Sequence, residues 1–286
     1  MFGDYTVDHP TMLTELLKLR FGWHLARIKC LSALIVALFK VKTVNLAEIA
    51  TAFPGTAAID SHYRRLQRFF AHVEIESTLI AQFVVAFLSA APYTVSLDRT
   101  NWMFGCFPIN FLVLSVGHDG IAFPLFWIFL PKQGNSHTRE RIALLNQFIA
   151  VFGAQQIDCL VADREFIGAK WFTYLQAHHI RFHIRIKRDM HVSRTNGIVS
   201  PVLNFFRSLP VSTYCTLIGP RRVCGQLLWV TGMRLLAGEY LILVSNAGAE
   251  QALENYKKRW KIAVLFHALK SRGFNFEATH LKDEKR

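Results

Sequence analysis

From Tyr93 onward the hydrophobic pattern changes its period, and the succession of periods dictates the order in which elements must be laid down. Residues 93–97 run as a strand up to Asp98, and residues 111–116 and 123–129 read as strands on either side of Gly117-His118-Asp119-Gly120, a hairpin signal. A polar stretch over 132–137 leads into a helix over 138–152, then a short buried strand over 159–162 that ends at Asp163. A helix over 169–178 follows. Residues 180–187 form another strand, in which Arg181, His183, Arg185 and Lys187 alternate with Ile180, Phe182, Ile184 and Ile186. Three strands, a helix, a strand, a helix and a strand define an α/β sheet with helical cover.

The first 75 or so residues read as helical throughout. Residues 44–53 form a short helix, Pro54-Gly55 breaks it, and residues 61–73 form the next, an arrangement that resembles a helix-turn-helix. In the second helix Tyr63, Arg64, Arg65, Gln67 and Arg68 give polar and cationic reach, while Leu66, Phe69 and Phe70 pack. That face suits a DNA backbone or major groove; the bland alternative is a solvated basic surface. An apolar helix over 77–90 leads into the strands. After residue 190 come a loop at 194–200, strand-like runs at 213–218, 226–231 and 240–245, and a continuous helix over about 249–270.

A formal charge of +13 favours a polyanionic partner, because a basic globule gains counterion release on a phosphate backbone. Hydrophobic content of 52% with 24 Phe excludes a disordered chain and predicts a thick aromatic interior. The 5 cysteines include no Cys-x-x-Cys pair and read as reduced packing residues. His178, His179 and His183 lack cysteine or carboxylate partners at ligand spacing and do not read as a zinc site. The apolar stretches at 79–91 and 121–131 fall short of the roughly 18 residues of a spanning helix, and no leader pattern opens the chain. Neither membrane insertion nor export is expected.

On the last helix Tyr256, Arg259, Ala263, His267 and Lys270 recur along one stripe, with Ile262, Leu265, Phe266 and Leu269 on the other side to pack. A stripe holding Arg259 and Lys270 suits an anion. Upstream, Asp98 in TVSLDRTNW and Asp163 in DCLVADREF are isolated acids in strand-like contexts. Two carboxylates and a basic helix face suggest metal-assisted phosphodiester chemistry.

The stripe Tyr-x2-Arg-x3-Ala-x6-Lys, preceded by Asp-Arg-Thr-Asn-Trp and Ala-Asp-Arg-Glu-Phe, resembles the bacterial cut-and-paste transposases of the Asp-Asp-Glu class. More narrowly it resembles the insertion sequence four family, which carries glutamate where this chain has Ala263. The resemblance runs from about Asp60 to the chain end. It implies that Asp98 and Asp163 are the two catalytic, metal-ligating aspartates, that Ala263 marks the missing glutamate, and that Tyr256, Arg259 and Lys270 contact DNA. It also implies a ribonuclease H-like core with a β-rich insertion and an all-α N-terminal DNA-binding region. The corresponding segments are 1–76 for DNA binding, 77–189 for the first part of the core, 190–248 for the insertion, and 249–286 for the catalytic helix and a shortened C-terminus. In that fold the first and fourth strands are neighbours, so Asp98 and Asp163 meet.

The implied chemistry uses two Mg2+ or Mn2+ ions about 4 Å apart, with Asp98 bridging both. Ala263 offers no oxygen, so one ion would be weakly held and turnover would fall by orders of magnitude, while alanine's helix propensity leaves the fold intact. Glu165 is a candidate substitute ligand, although past a strand end the two-residue spacing no longer guarantees a shared face. Arg164 and Lys170 read either as DNA contacts or as ordinary surface. Trp102 reads as core, and Trp229 as a platform for an extruded base if the reaction makes hairpin ends. The resemblance further implies double-stranded DNA partners (transposon ends and target), a homodimer in synapsis, and a cytoplasmic, nucleoid-associated bacterial protein. The chain stops at Arg286 where the family continues into further helices. Two activities follow: a transposase impaired at Ala263, or an inactive, truncated derivative that occupies transposon ends and inhibits transposition. A nuclease without strand transfer is the third possibility.

Overall fold

The structure, a computed structural model, describes residues 9–89, 91–104, 107–193 and 197–276. The chain divides into two units: residues 1–86 with 103–106 and 266–286, and residues 87–102 with 107–265.

In the first unit the helical reading holds for the described residues. Helices α1 (His9–Arg20), α2 (Leu25–Val41), α3 (Leu46–Thr51), α4 (Ile59–His72) and α5 (Ser77–Val85) follow one another. Ile28, Leu31, Leu34 and Ala37 recur at helical spacing on α2 and bury against Leu17, Ile49, Leu66 and Phe69. Asn45 caps α3, its side chain accepting the Ala47 N–H at 3.0 Å. Helix α4 turns His62, Leu66 and Phe69 inward and leaves Arg64 and Arg68 exposed. Arg65 differs from these two: it is half-buried, its guanidinium lying over the Phe53 ring at 5.5 Å.

The second unit is built on a mixed sheet of nine strands. They are β1 (Tyr93–Phe104), β2 (Phe107–His118), β3 (Ile121–Phe129), β4 (Ile157–Ala162), β5 (Phe182–Arg185), β8 (Tyr214–Thr216), β9 (Arg221–Val223), β10 (Gln226–Arg234) and β11 (Tyr240–Ser245); the short pair β6 (His191–Ser193) and β7 (Val199–Pro201) forms a ribbon of its own. The order is β3-β2-β1-β4-β5-β11-β10-β8, with β9 also on β10. Strand β4 runs parallel to both β1 and β5, whereas β2 with β3 and β5 with β11 are antiparallel. Thus β11, β10 and β8, from the β-rich stretch after residue 190, continue the same sheet.

Strand β4 reads IDCLVA, buried at every position but Asp158, which suits a strand covered on both faces. The turn between β2 and β3 has Asp119 at φ 44° and Gly120 at φ 83°, the left-handed pair that matches hairpin twist. Helices α6 (Thr138–Phe152) and α7 (Ala169–Ala177) bury Leu144, Leu145, Phe148, Trp171, Phe172 and Leu175. Phe172 stacks on Phe182 of β5 with ring centroids 5.2 Å apart. Helix α8 (Ala252–Lys257) packs Ala252 and Tyr256 onto Cys159, Val161 and Leu243.

The expected continuous helix over 249–270 is broken. A short 3-10 turn precedes α8, residues 258–259 form a turn, and α9 (Trp260–His267) runs into a π-helical segment, Ala268–Arg272. Around the break the N–H groups of Lys258, Arg259, Lys261 and Ile262 bond to the carbonyls three residues back. A 3-10 turn advances each residue by about 120° rather than 100°, so the single stripe is split. Tyr256 and Arg259 are buried and Ala263 is exposed.

Candidate functional site

The β1–β4 register pairs Leu97 with Ala162. Asp163, just past the C-terminal end of the buried β4, therefore stands level with Asp98, which lies within the longer β1.

Each carboxylate is already engaged. Asp98 accepts the Arg99 backbone N–H on Oδ1 at 2.8 Å and an Arg259 guanidinium N–H on Oδ2 at 3.1 Å. Asp163 accepts the Tyr256 hydroxyl on Oδ1 at 3.4 Å, with Arg185 of β5 at 3.9 Å. The Arg259 guanidinium also lies 5.4 Å from the Tyr256 ring centroid. Burial pushes the Asp98 carboxyl up to about 6; Arg259 and the Arg99 N–H oppose the shift, and the charges of Asp163 and Glu165 add to it. Burial likewise pushes the Tyr256 hydroxyl up to about 12, which keeps it a donor to Asp163.

Two arginines hold the loop behind Asp163. Arg99 pairs with Glu165 at 3.3 Å and donates to Asn110 Oδ1 at 3.0 Å; Asn110 in turn donates to the carbonyls of Lys132 and Gly134. Arg141 of α6, only 4% exposed, donates to the Ser136 hydroxyl, the Ser136 carbonyl, the Glu165 carbonyl at 2.9 Å and the Ile167 carbonyl, and lies over the Phe166 ring. Arg141 was detectable in the sequence as a cation on the buried stripe with Leu144, Leu145 and Phe148.

A buried polar chain docks α8. Asn255 donates to His183 Nε2 at 3.3 Å, His183 Nδ1 is bonded to the Ser245 hydroxyl, and that hydroxyl donates to the Phe182 carbonyl at 3.1 Å. Lys258 bridges Asn255 Oδ1 at 3.0 Å and Thr94 Oγ1 at 3.2 Å. In this arrangement the proton belongs on Nδ1, and protonating Nε2 would set it against the Asn255 amide. Burial is the main cause that lowers His183 to about 4. Between that value and 6.5 the folded state binds fewer protons at His183 than the unfolded chain, so this contribution to stability is lost as pH falls. Asp98, raised to about 6, acts in the opposite sense over part of the same range. The two partly offset each other, and the comparison that isolates the histidine is with His183→Asn. The stability advantage of the native chain over that variant should shrink by about 2 kcal/mol between pH 7 and pH 5 in urea melts.

Of the other residues singled out by sequence, Arg164 and Lys170 are exposed. Trp229 is half-buried on β10 opposite Ser245, and Trp102 stacks on Phe111 at 5.8 Å. Lys270 belongs to the first unit, and Tyr256 and Arg259 belong to the second. Tyr256 and Arg259, to which the resemblance assigns DNA contacts, face the carboxylates, the turn at 258–259 winding them inward. His183, considered with His178 and His179, serves the polar chain, while His178 packs on the Tyr174 ring at 4.1 Å. Among the described residues no group of three His, Cys, Asp or Glu side chains is placed to hold a metal ion.

The chain is similar to a piggyBac transposase solved as a synaptic complex with hairpin DNA, at 12% identity and a TM-score of 0.53, over 93% of this chain. It spans 66% of that protein's length, just under two thirds. The family described as Transposase DDE domain matches residues 124–286, more than half of the sequence, and the chain belongs to that family. No curated protein sequence matches it. No helix among the described residues is long and apolar enough to cross a membrane.

Proposed function

We propose that this chain is a DNA-binding transposase of the insertion sequence four type, with a ribonuclease H-like core, whose strand cleavage is impaired at Ala263. One observation carries the reading: the β1–β4 register sets Asp98 and Asp163 side by side on a chain of net charge +13. The strand order β3-β2-β1-β4-β5 with β4 parallel to both neighbours supports the core assignment. In this reading α3 and α4 contact DNA through Arg64 and Arg68, Arg65 props the helix, and Arg164 and Lys270 add phosphate contacts. The ends of a bacterial mobile element and its target are the substrates, two subunits pair in synapsis, and the protein works at the nucleoid. The segments 1–76, 77–189, 190–248 and 249–286 are its DNA-binding, core, β-rich and catalytic-helix parts.

The family implies divalent ions, yet the donors present do not fit a two-ion site. There are two carboxylates where three are needed; Asp98 carries a guanidinium on one oxygen and a backbone N–H on the other; position 263 has no oxygen. This favours the second reading, a chain that occupies transposon ends without cutting them.

Duplex binding tests the proposal. The affinity should fall steeply with salt, and Arg64→Ala and Arg68→Ala should each lower the slope of log affinity against log salt by about 1. Duplex binding weaker than about 10⁻⁴ M at physiological salt would remove the reading. Tight binding without nicking would leave the inhibitor.

A further inference from the structure

We infer that Asp98 and Asp163 serve in this chain as anchors for the α8–α9 junction, and that the anchoring withholds Arg259 from DNA. The DNA half of this inference rests on the proposed function. The anchoring half rests on geometry alone.

Within residues 255–259 four side chains reach the strands beneath. Asn255 bonds His183 of β5 at 3.3 Å, Tyr256 bonds Asp163 at 3.4 Å, Lys258 bonds Thr94 of β1 at 3.2 Å and Arg259 bonds Asp98 at 3.1 Å. The Lys258 and Arg259 N–H groups reach back to the Asn255 and Tyr256 carbonyls, and such a 3-10 turn eclipses side chains three residues apart. Two rows result. Asn255 and Lys258, bonded to each other at 3.0 Å, form one; Tyr256 and Arg259, with the guanidinium 5.4 Å from the ring centroid, form the other and meet the acids. The tighter winding thus matches the placement of the acceptors. Arg259, only 8% exposed, is left no open face for a phosphate.

Charge closes the arrangement. Asp98 pairs with Arg259, Asp163 with Arg185 at 3.9 Å and Glu165 with Arg99 at 3.3 Å, so three carboxylates face three guanidiniums and no excess negative charge remains to draw a divalent cation. The Arg259 and Asp98 side chains are 9% and 17% exposed, and removing either one strands the charge of the other in a poorly solvated place. Ala263 belongs to the same logic. It stands four residues beyond Arg259 and offers no carboxylate, whereas a glutamate there would give the guanidinium a second partner at helix-pair spacing.

Urea melts of the full chain test the anchor. Asp98→Asn and Arg259→Gln should each raise the unfolded-to-folded ratio about a hundredfold or more, and the double variant should lose far less than the product of the two. Losses that simply multiply overturn the pairing. If Arg259→Gln does not fold, Arg259→Lys takes its place in the same cycle. Mg2+ at about 10 mM should leave the native midpoint where Na+ of equal ionic strength puts it; a midpoint raised in the native chain and not in Asp98→Asn would show the acid holding the ion and overturn the anchor. In duplex titrations Arg259→Gln should keep the native slope of log affinity against log salt, and a slope lowered by about 1 overturns the withholding. Absence of duplex binding in the native chain would sink the proposed function, while the melts still read the anchor.

Discussion

Ala263→Glu is expected to raise the rate at which this chain nicks duplex DNA by about a hundredfold or more, the scale on which losing a group that stabilises the transition state is felt. The substitution adds a third carboxylate on α9, one turn after the α8–α9 junction that sends Tyr256 and Arg259 onto Asp163 and Asp98. Position 263 is exposed, so the longer side chain meets no core, and exchanging alanine for glutamate costs the helix about 0.5 kcal/mol or less. A supercoiled plasmid carrying a transposon end, relaxed in the presence of Mn2+, gives the measurement. Adding Asp98→Asn to the same protein should abolish the gain, which ties it to this site rather than to a contaminating nuclease. A folded, DNA-binding Ala263→Glu protein that stays silent would show that position 263 does not complete the site.

The second large effect is structural. Arg141→Ala should destabilise the second unit by about 3 kcal/mol or more, because the carbonyls of Ser136, Glu165 and Ile167 lose their donor together. The ring of Phe166, buried beneath the guanidinium, loses its cover as well. Arg141→Lys should recover less than half of the loss, since a single ammonium cannot span acceptors on both sides of the planar fork. Urea denaturation measures the difference. Limited proteolysis should show a new cut between 163 and 167 in Arg141→Ala before global unfolding. A variant as stable as the native chain, with that loop still protected, would show that the clamp is dispensable.

The carboxylate pair was legible because each acid interrupts or directly follows a strand whose neighbouring residues are buried, a placement that is costly unless the group is paired or used. Helices α3 and α4 were legible on either side of Pro54-Gly55, and the β2–β3 hairpin from Asp119-Gly120. The break between α8 and α9 was not. The segment Lys257-Lys258-Arg259-Trp260 contains neither glycine nor proline, and only tertiary contacts, Asn255 on His183 and Arg259 on Asp98, favour the tighter turn there. For the same reason the inward direction of Tyr256 and Arg259 was hidden: an ideal helical wheel keeps them on the stripe of Ala263. Strands β6, β7 and β9, three residues each, are too short to show a period.

The pairing of Leu97 with Ala162 has a bearing on how such a chain tolerates change. Side chains along a strand point alternately up and down, so deleting a single residue anywhere in the buried fourth strand would swing Asp163 to the far side of the sheet, even with every chemical group retained. Loss of competence in related sequences should therefore be sought in indels near this strand as readily as in substitutions of the acids themselves.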